Sequence, residues 1–532
     1  MGKIMTYIKQ FVAILILILC VPANLGAVDK ESGILELTII DDDIDLQVPA
    51  RVRIRDRFDK DHIPPDSVVV PIAQDRWFVC PGQTRIRIPA GTTLVRAERG
   101  TEYRPVVQTV RIKAGQTLRH KVKLERWIHM REHGYVSGEN HLHVPVDKLS
   151  AMLAAEDLDF GTALSWWNGP NFDVPPEGGW VRDLQYDNET IPSSVYDAEV
   201  EHSWGAVYLI GLRKSINIPS DGRRSNLPFV KIAHKQKGLV CYQAGWSREV
   251  LIDALLGYVD VVNVCNNNFH RHKYQPRKRY SNLLNVDEFP EYQNTPEEMI
   301  QMNFETYYRL LNCGLRLAAG AGSATGAKTT PVGYNRAYVR AGSNPTLSQF
   351  LEAWRKGRNF VTNGPMTFLY TDKNQRPGDT ITLPSGGGTV SFQVTAYSEQ
   401  PLRCLELVEN GRVVGKANIG PKQYEAKLNL SLQIKEGTWI AARCIEEDQL
   451  LSDAQLSRYS KTGSLPEKSC RLRFAHTSPI YVTVGGNGPY VDSSVRDAQK
   501  MLESFEGFAR RTATGEYLAE ILEVLPKKIE SQ

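Results

Sequence analysis

Trp127-Ile128-His129-Met130-Arg131-Glu132-His133-Gly134-Tyr135-Val136-Ser137-Gly138-Glu139-Asn140-His141-Leu142-His143-Val144-Pro145 is where this 532-residue chain changes its pattern. Upstream, apolar and polar residues alternate with period two over 34–40, 50–55, 85–88, 106–112 and 118–124, with turns such as Ala114-Gly115-Gln116 between them. Within 50–55, Val52 and Ile54 are expected inward and Arg51, Arg53 and Arg55 outward, on a solvated face. Strict alternation with Gly and Pro punctuation predicts an antiparallel N-terminal β-sandwich over 28–126. Downstream the spacing changes. Helical spacing appears at 147–155, 247–256, 296–311 and 347–356, and short apolar strands at 206–210, 239–242 and 259–264. Strands alternating with helices make 127–369 an α/β domain, and in such folds ligand chemistry gathers at the strand ends.

From 370 the text returns to β, with strands expected at 389–397, 404–409, 426–434, 439–444 and 480–484. Glu409-Asn410-Gly411-Arg412 is a hairpin-turn signal between two apolar runs. A C-terminal β-sandwich is therefore read over 370–490, followed by a helical segment over 491–532, where 493–508 and 515–525 have helical spacing. The fold class is multi-domain α/β plus β, a central α/β domain flanked by two β-sandwiches.

The first residues address the compartment. Lys3 and Lys9 precede an apolar run over 11–21, and small residues offer cleavage after Ala23 or Ala27. The run is short for a membrane span, so residues 1–27 read as a signal peptide and the protein as exported, to the periplasm or beyond the cell. A retained anchor is the alternative; a lipoprotein anchor at Cys20 is disfavoured by the bulk of Leu19. No later segment is apolar enough to span a bilayer, so no stable membrane insertion is expected after the leader is removed. Formal net charge is +4, half of it from the two leader lysines. Such a balance argues neither for nor against a polyanionic partner, and without a basic stripe no nucleic-acid partner is expected. Past the leader stand Cys80, Cys241, Cys265, Cys313, Cys404, Cys444 and Cys470, scattered and without a Cys-x-x-Cys pair. A zinc ribbon or disulfide scaffold is not expected; one bridge among the last three stays open beside buried free thiols.

His141-Leu142-His143 is the first chemical signal. Two histidines at i and i+2 on a strand share a face, so both rings reach one cation; the alternative is a hydrogen-bonded strand pair. Taken with 127–144 as a whole, the segment resembles the entry to the PHP-type metallohydrolases of the carbaryl-hydrolase-like (CehA/McbA) group, in which an acid stands two residues before the first histidine, as Glu139 does here. Glu201-His202-Ser203-Trp204-Gly205 looks like that family's segment with a metal-ligating Glu, and 314–322, 331–339, 357–365 and 475–482 resemble its later parts. The resemblance covers most of the chain and implies a distorted α/β barrel holding several metal ions.

The departures are chemical. Ser165-Trp166-Trp167-Asn168 stands where the family has Thr-Asp-His-Asn, Ser323-Ala324-Thr325-Gly326 where it has Ser-Asp-x-His, and Gln243-Ala244 where it has His-Pro. Indole carbon, Ala and Gly supply no ligand, so a trinuclear site is excluded. The resemblance leaves His141, His143 and Glu201 as ligands, with His270 or His272 as substitutes and His202 and His234 in reserve. Two imidazoles and a carboxylate suffice for one divalent Zn, Mn or Fe ion with open positions. Glu139 and Glu201 are the candidate catalytic bases. Trp166, Trp167, Asn168, Asn267 and His272 are the candidate substrate contacts, the indoles as a stacking platform, although adjacent strand residues face opposite ways and one of the two fits a core. Arg277-Lys278-Arg279 reads as a solvated basic loop or an anion contact. The 320–328 loop ends on a lysine like a phosphate-binding loop but lacks its spacing. Two functions are expected: a metal-dependent hydrolase of an ester, carbamate or phosphoester bond with a small-molecule substrate, or a secreted non-catalytic protein that binds a glycan-like ligand.

Overall fold

The computed structural model describes residues 31–72, 75–168, 175, 177, 179, 183–186, 189–202, 205–216, 225–244, 249–269, 296–447, 449–450, 470–512 and 518. The signal peptide, His270, His272 and Arg277-Lys278-Arg279 lie outside them, as do the side chain of His202 and nearly all of 515–525.

The strands that carry the histidine pair and its surroundings are β1 (Val136–Gly138), β2 (Gly161–Trp167), β3 (Asp183–Tyr186), β4 (Glu189–His202), β5 (Gly205–Ile210), β6 (Leu239–Gln243), β7 (Val261–Cys265) and β8 (Ala318–Ala321). One mixed sheet runs β2-β4-β5-β6-β7-β8, with β3 hairpinned onto β4. The pairs β2–β4, β6–β7 and β7–β8 are parallel, and β5 is antiparallel to both neighbours. Every residue of β5, β6, β7 and β8 is buried, as expected of strands covered on both faces. The cover includes α1 (Val146–Ala155), α2 (Leu227–Lys235), α3 (Val250–Leu255), α4 (Pro296–Asn312) and α5 (Leu347–Arg355). Leu209, Val240, Val262, Phe229, Phe304 and Trp354 share one core.

Between the two edges of this sheet lies the segment after β1. On one side Phe160 N–H donates to Ser137 O (3.0 Å) and Leu164 N–H to Leu142 O (2.9 Å). On the other, Asn140 N–H donates to Ala321 O (3.3 Å), Ala324 N–H to His141 O (2.8 Å) and His143 N–H to Thr325 O (2.8 Å). An irregular strip thus links β2 to the residues after β8 without a ladder. The expectation of a strand at His141-Leu142-His143 is corrected: β1 ends at Gly138, because the backbone that follows bonds to two different neighbours.

The flanking regions are β-rich as expected. Residues 32–124 form a four-stranded and a six-stranded sheet over a core of Leu35, Leu37, Ile39, Val52, Ile54, Phe78, Val95 and Val122. Its outward arginines are not all solvated. Arg51 is buried, paired to Glu98 (2.8 Å) and to Glu156 (2.5 Å) at the end of α1, and Arg53 is held by Asp61 and Asp75 (2.8 Å each). That face meets the central region, and the carboxylates there replace water.

The boundary drawn at 369 is also corrected. β1, β9 (Arg336–Val339) and β10 (Asn359–Thr362) belong to a nine-stranded sheet that continues through Phe474–Thr477, Thr438–Glu446, Leu402–Glu409 and Arg412–Lys416. A three-stranded sheet, Met366–Thr371, Gly388–Tyr397 and Glu425–Ile434, packs on it through Phe368, Phe392, Val394, Leu405, Leu407 and Ile440. The C-terminal β-rich region therefore shares a sheet with the central region. Asn410 (φ 47°) and Gly411 (φ 85°) form the expected left-handed hairpin turn. The last helix, α6 (Asp492–Thr512), docks on α4, where Arg309 pairs with Asp497 (3.0 Å). Cys80, Cys241, Cys265, Cys313, Cys404 and Cys444 are free thiols. No helix among the described residues is long and apolar enough to cross a membrane.

Candidate metal centre

Three donors meet where the strip between the sheet edges passes β4. The Nε2 atoms of His141 and His143 stand 3.2 Å apart. Glu199 Oε2 lies 2.8 Å from His143 Nε2 and 3.5 Å from His141 Nε2. Three ligands about 2.0–2.1 Å from one zinc ion at tetrahedral angles would stand roughly 3.3 Å apart, so these edges fit a single ion. Each of the three residues is only about 2 % exposed. His141 leans on Tyr208 of β5 with ring centroids 4.1 Å apart, and Tyr208 in turn donates to Gln243 Oε1 of β6.

The charge states suit a cation. Burial holds the His141 imidazole below its usual range, with Glu199 opposing, and the neutral imidazole is the form that ligates. Burial works against ionisation of Glu199, but the His141 and His143 rings outweigh it and hold the carboxyl down at about 2. The donor set is two imidazoles and one carboxylate, which satisfies the fit on chemistry as well as distance.

Glycines allow the strip to lie this close. A Cβ on Gly322 would fall 2.4 Å from His141 Cβ, and one on Gly326 (φ +96°) would fall 2.0 Å from His143 O. Asn140 and Asn263 exchange amide hydrogen bonds of 2.8 Å each way, tying the strip to β7.

The expected site residues divide. His141 and His143 converge; Glu201 does not join them. The third donor is Glu199, two residues earlier on β4 and on the same face, while Glu201 is half-buried. Burial and the Glu199 charge raise the Glu201 carboxyl, with Lys328 and His143 opposing. Glu139 is corrected as a catalytic base: its buried carboxylate accepts from the backbone N–H groups of Ser323 and Gly333 (2.5 Å to the latter) and so ties two loops together. Burial raises that carboxyl to about 8. Trp166 is corrected as a substrate contact: it lies in the core, with its ring 5.9 Å from that of Phe229. Trp167 points the other way, half-buried, with its ring 4.4 Å from that of His143. Asn168, in a left-handed conformation (φ 55°), accepts from Glu201 N–H through Oδ1 (2.7 Å) and so positions the end of β4. Asn267 stands half-buried in the turn after β7. His234 is engaged on α2, 2.9 Å from Tyr258 O.

No known family model matches this chain, and no curated protein does. Among solved structures, the minor pilin GBS52 of Streptococcus agalactiae is similar over 18 % of this chain and 45 % of its own, at 14 % identity and a TM-score of 0.15. The Bacillus anthracis TIE protein is similar over 22 % of this chain and 19 % of its own, at 18 % identity and a TM-score of 0.14. A Parabacteroides merdae β-glucuronidase is similar over 83 % of this chain and 60 % of its own, at 10 % identity and a TM-score of 0.16. The chain thus spans less than half of the first two proteins, and scores this low carry no argument about fold or function.

Proposed function

We propose that the protein is an exported, metal-dependent hydrolase of the PHP type with a site reduced to one metal ion, acting on an ester, carbamate or phosphoester bond. The observation that carries this reading is the convergence of His141 Nε2, His143 Nε2 and Glu199 Oε2 within 3.5 Å of one another. Two further features support it. The segments at which the sequence departs from the resembled family surround the donors: Trp167 packs on His143, Gln243 supports Tyr208, and Ala324-Thr325 bonds to the histidine backbone. The strip that joins β2 to the end of β8 is also where a distorted barrel would close.

A divalent ion held there by His141, His143 and Glu199 would supply Lewis acidity to an ester or phosphoryl oxygen. The chain's own groups would do the rest. Glu201, half-buried and electrostatically coupled to Glu199, would hold or move the proton, and Trp167 would keep water off the His143 side. The test uses chromogenic esters, p-nitrophenyl acetate and p-nitrophenyl phosphate, on the full chain with added Zn, Mn or Fe and after chelation. Turnover that chelation abolishes and one metal restores is expected. Turnover indifferent to chelation would refute the reading, and a protein without turnover or metal would leave the glycan-binding role.

A further inference from the structure

Five arginines from three parts of the chain line one small cavity away from the histidine pair. Arg51 and Arg96 come from the N-terminal β region, Arg336 from β9, and Arg471 and Arg473 from just before the strand Phe474–Thr477. Strand register explains the first two. Arg51 stands opposite Glu98 on the neighbouring strand Gly91–Glu98, and Arg96 lies two residues before Glu98, so all three share one face of the sheet. Glu98 accepts from Arg51 Nη2 (2.8 Å) and from Arg96 Nε (2.6 Å), and the two guanidinium carbons lie 4.6 and 5.5 Å from the centre of the Trp77 ring. Arg336 is fully buried and donates from Nε to Gly333 O (2.6 Å) and from Nη2 to Glu156 O (3.0 Å). Glycines make room for it: a Cβ on Gly100 (φ +58°) or Gly333 (φ +69°) would fall 3.1 or 2.6 Å from its Nη2. Arg51 is the group left wanting. It is 3 % exposed, its Nη2 and Nε are taken by Glu98 and Glu156, and its Nη1 is buried without a hydrogen-bond partner among the described residues.

We propose that this cavity binds one inorganic tetrahedral oxyanion of the sulfate type, which ties the N-terminal β region, the α/β centre and the C-terminal β-rich region together. The size selects a small ion. The cavity measures about 80 Å³, whereas sites for sugars, nucleotides and other small molecules run to roughly 300–1,000 Å³. The donors select an oxyanion: a guanidinium is always charged, and its planar fork matches a pair of oxyanion oxygens. A buried guanidinium N–H without an acceptor is costly, and an oxyanion oxygen supplies the acceptor that Arg51 Nη1 lacks. Three glutamates line the cavity as well, but Glu98 and Glu156 are both bound to Arg51, and guanidinium groups outnumber carboxylates in the lining. The proposal does not depend on the metal centre.

The experiment titrates sodium sulfate into the full chain by calorimetry at constant ionic strength, before and after chelation of metals, and records melting temperatures in sulfate and in chloride. Four proteins are compared: wild type, Arg51→Lys, Arg96→Met, and Arg119→Met as a control at an exposed arginine outside the cavity. Arg51→Lys removes the fork and keeps the charge that Glu98 and Glu156 need; Arg96→Met removes a second donor on a partly exposed side chain and decides the matter if Arg51→Lys fails to fold. The expected result is one sulfate per wild-type chain, bound with and without chelation, and a melting temperature higher in sulfate than in chloride. Binding should weaken about tenfold or more in Arg51→Lys and in Arg96→Met and stay unchanged in Arg119→Met. No binding by wild type, binding that chelation abolishes, or equal binding by wild type and Arg96→Met overturns the proposal.

Discussion

Glu199 and Glu201 stand two residues apart on β4 and face the same side of the sheet, yet only Glu199 reaches the imidazoles. The difference is depth: Glu199 is buried, whereas Glu201 sits half-exposed near the strand end. Glu199→Gln removes the anionic donor and is expected to lower the bound metal by at least tenfold, since one carboxylate is a third of the donor set. Glu201→Gln is expected to keep the metal and lower turnover of p-nitrophenyl esters, by about 10²-fold if Glu201 serves as base. Elemental analysis and initial rates on the two variants separate the roles, and metal loss in Glu201→Gln with retention in Glu199→Gln would reverse the assignment. The histidine pair was legible from its spacing together with the resembled segment around it, although the strand assumed for it is an irregular strip. The parity of Glu199 with Glu201 was equally visible, but sequence cannot grade depth along a strand. The engagement of Glu139 depends on two loops some 180 to 200 residues downstream, which no local pattern reveals.

Helices α1, α4 and α5 match their apolar spacing to within a residue or so, because long amphipathic stretches announce themselves. β4 did not. Its 14 residues include Pro192, which lowers any strand reading and is tolerated here on the portion paired with β3. α2 opens on Leu227-Pro228 and spans nine residues, too few for a clear period. Near α3 lies a buried pair that no pattern marks: Glu249 takes bonds from the Ser225 hydroxyl and Asn226 N–H (2.6 Å), and Asp253 contacts the Tyr242 hydroxyl. Burial holds both carboxyls up, Asp253 to about 7 with the Tyr242 hydroxyl opposing, and the Asp253 charge adds to the rise at Glu249. The folded state therefore binds more protons than the unfolded one between its unfolded value of about 4 and about 7. Stability from this pair is fully present below about pH 4 and is lost as pH rises through about 7. Asp253→Asn cannot ionise, so its melting temperature should fall less between pH 5 and 8 than that of wild type. Parallel slopes would show that Asp253 is already ionised in the fold.

At the scale of the molecule, the two β-rich flanks and the α/β centre were legible from a change of period at Trp127 and again near 370, but the joints were not. A nine-stranded sheet crosses the second boundary, with β10 hydrogen-bonded to Phe474–Thr477, and Arg51 of the N-terminal β region is held by Glu156 of the centre. Pairing between distant segments has no local signature. These joints make a large fold around a small polar site, so the site can be removed without the fold. The most direct test is the metal content of the purified full chain beside that of His141→Ala/His143→Ala, with circular dichroism on both. The account predicts about one divalent transition-metal ion per wild-type chain, none in the double variant, and superimposable spectra. Wild type free of metal after purification with zinc, manganese and iron supplied, or a double variant that keeps its metal, would contradict it.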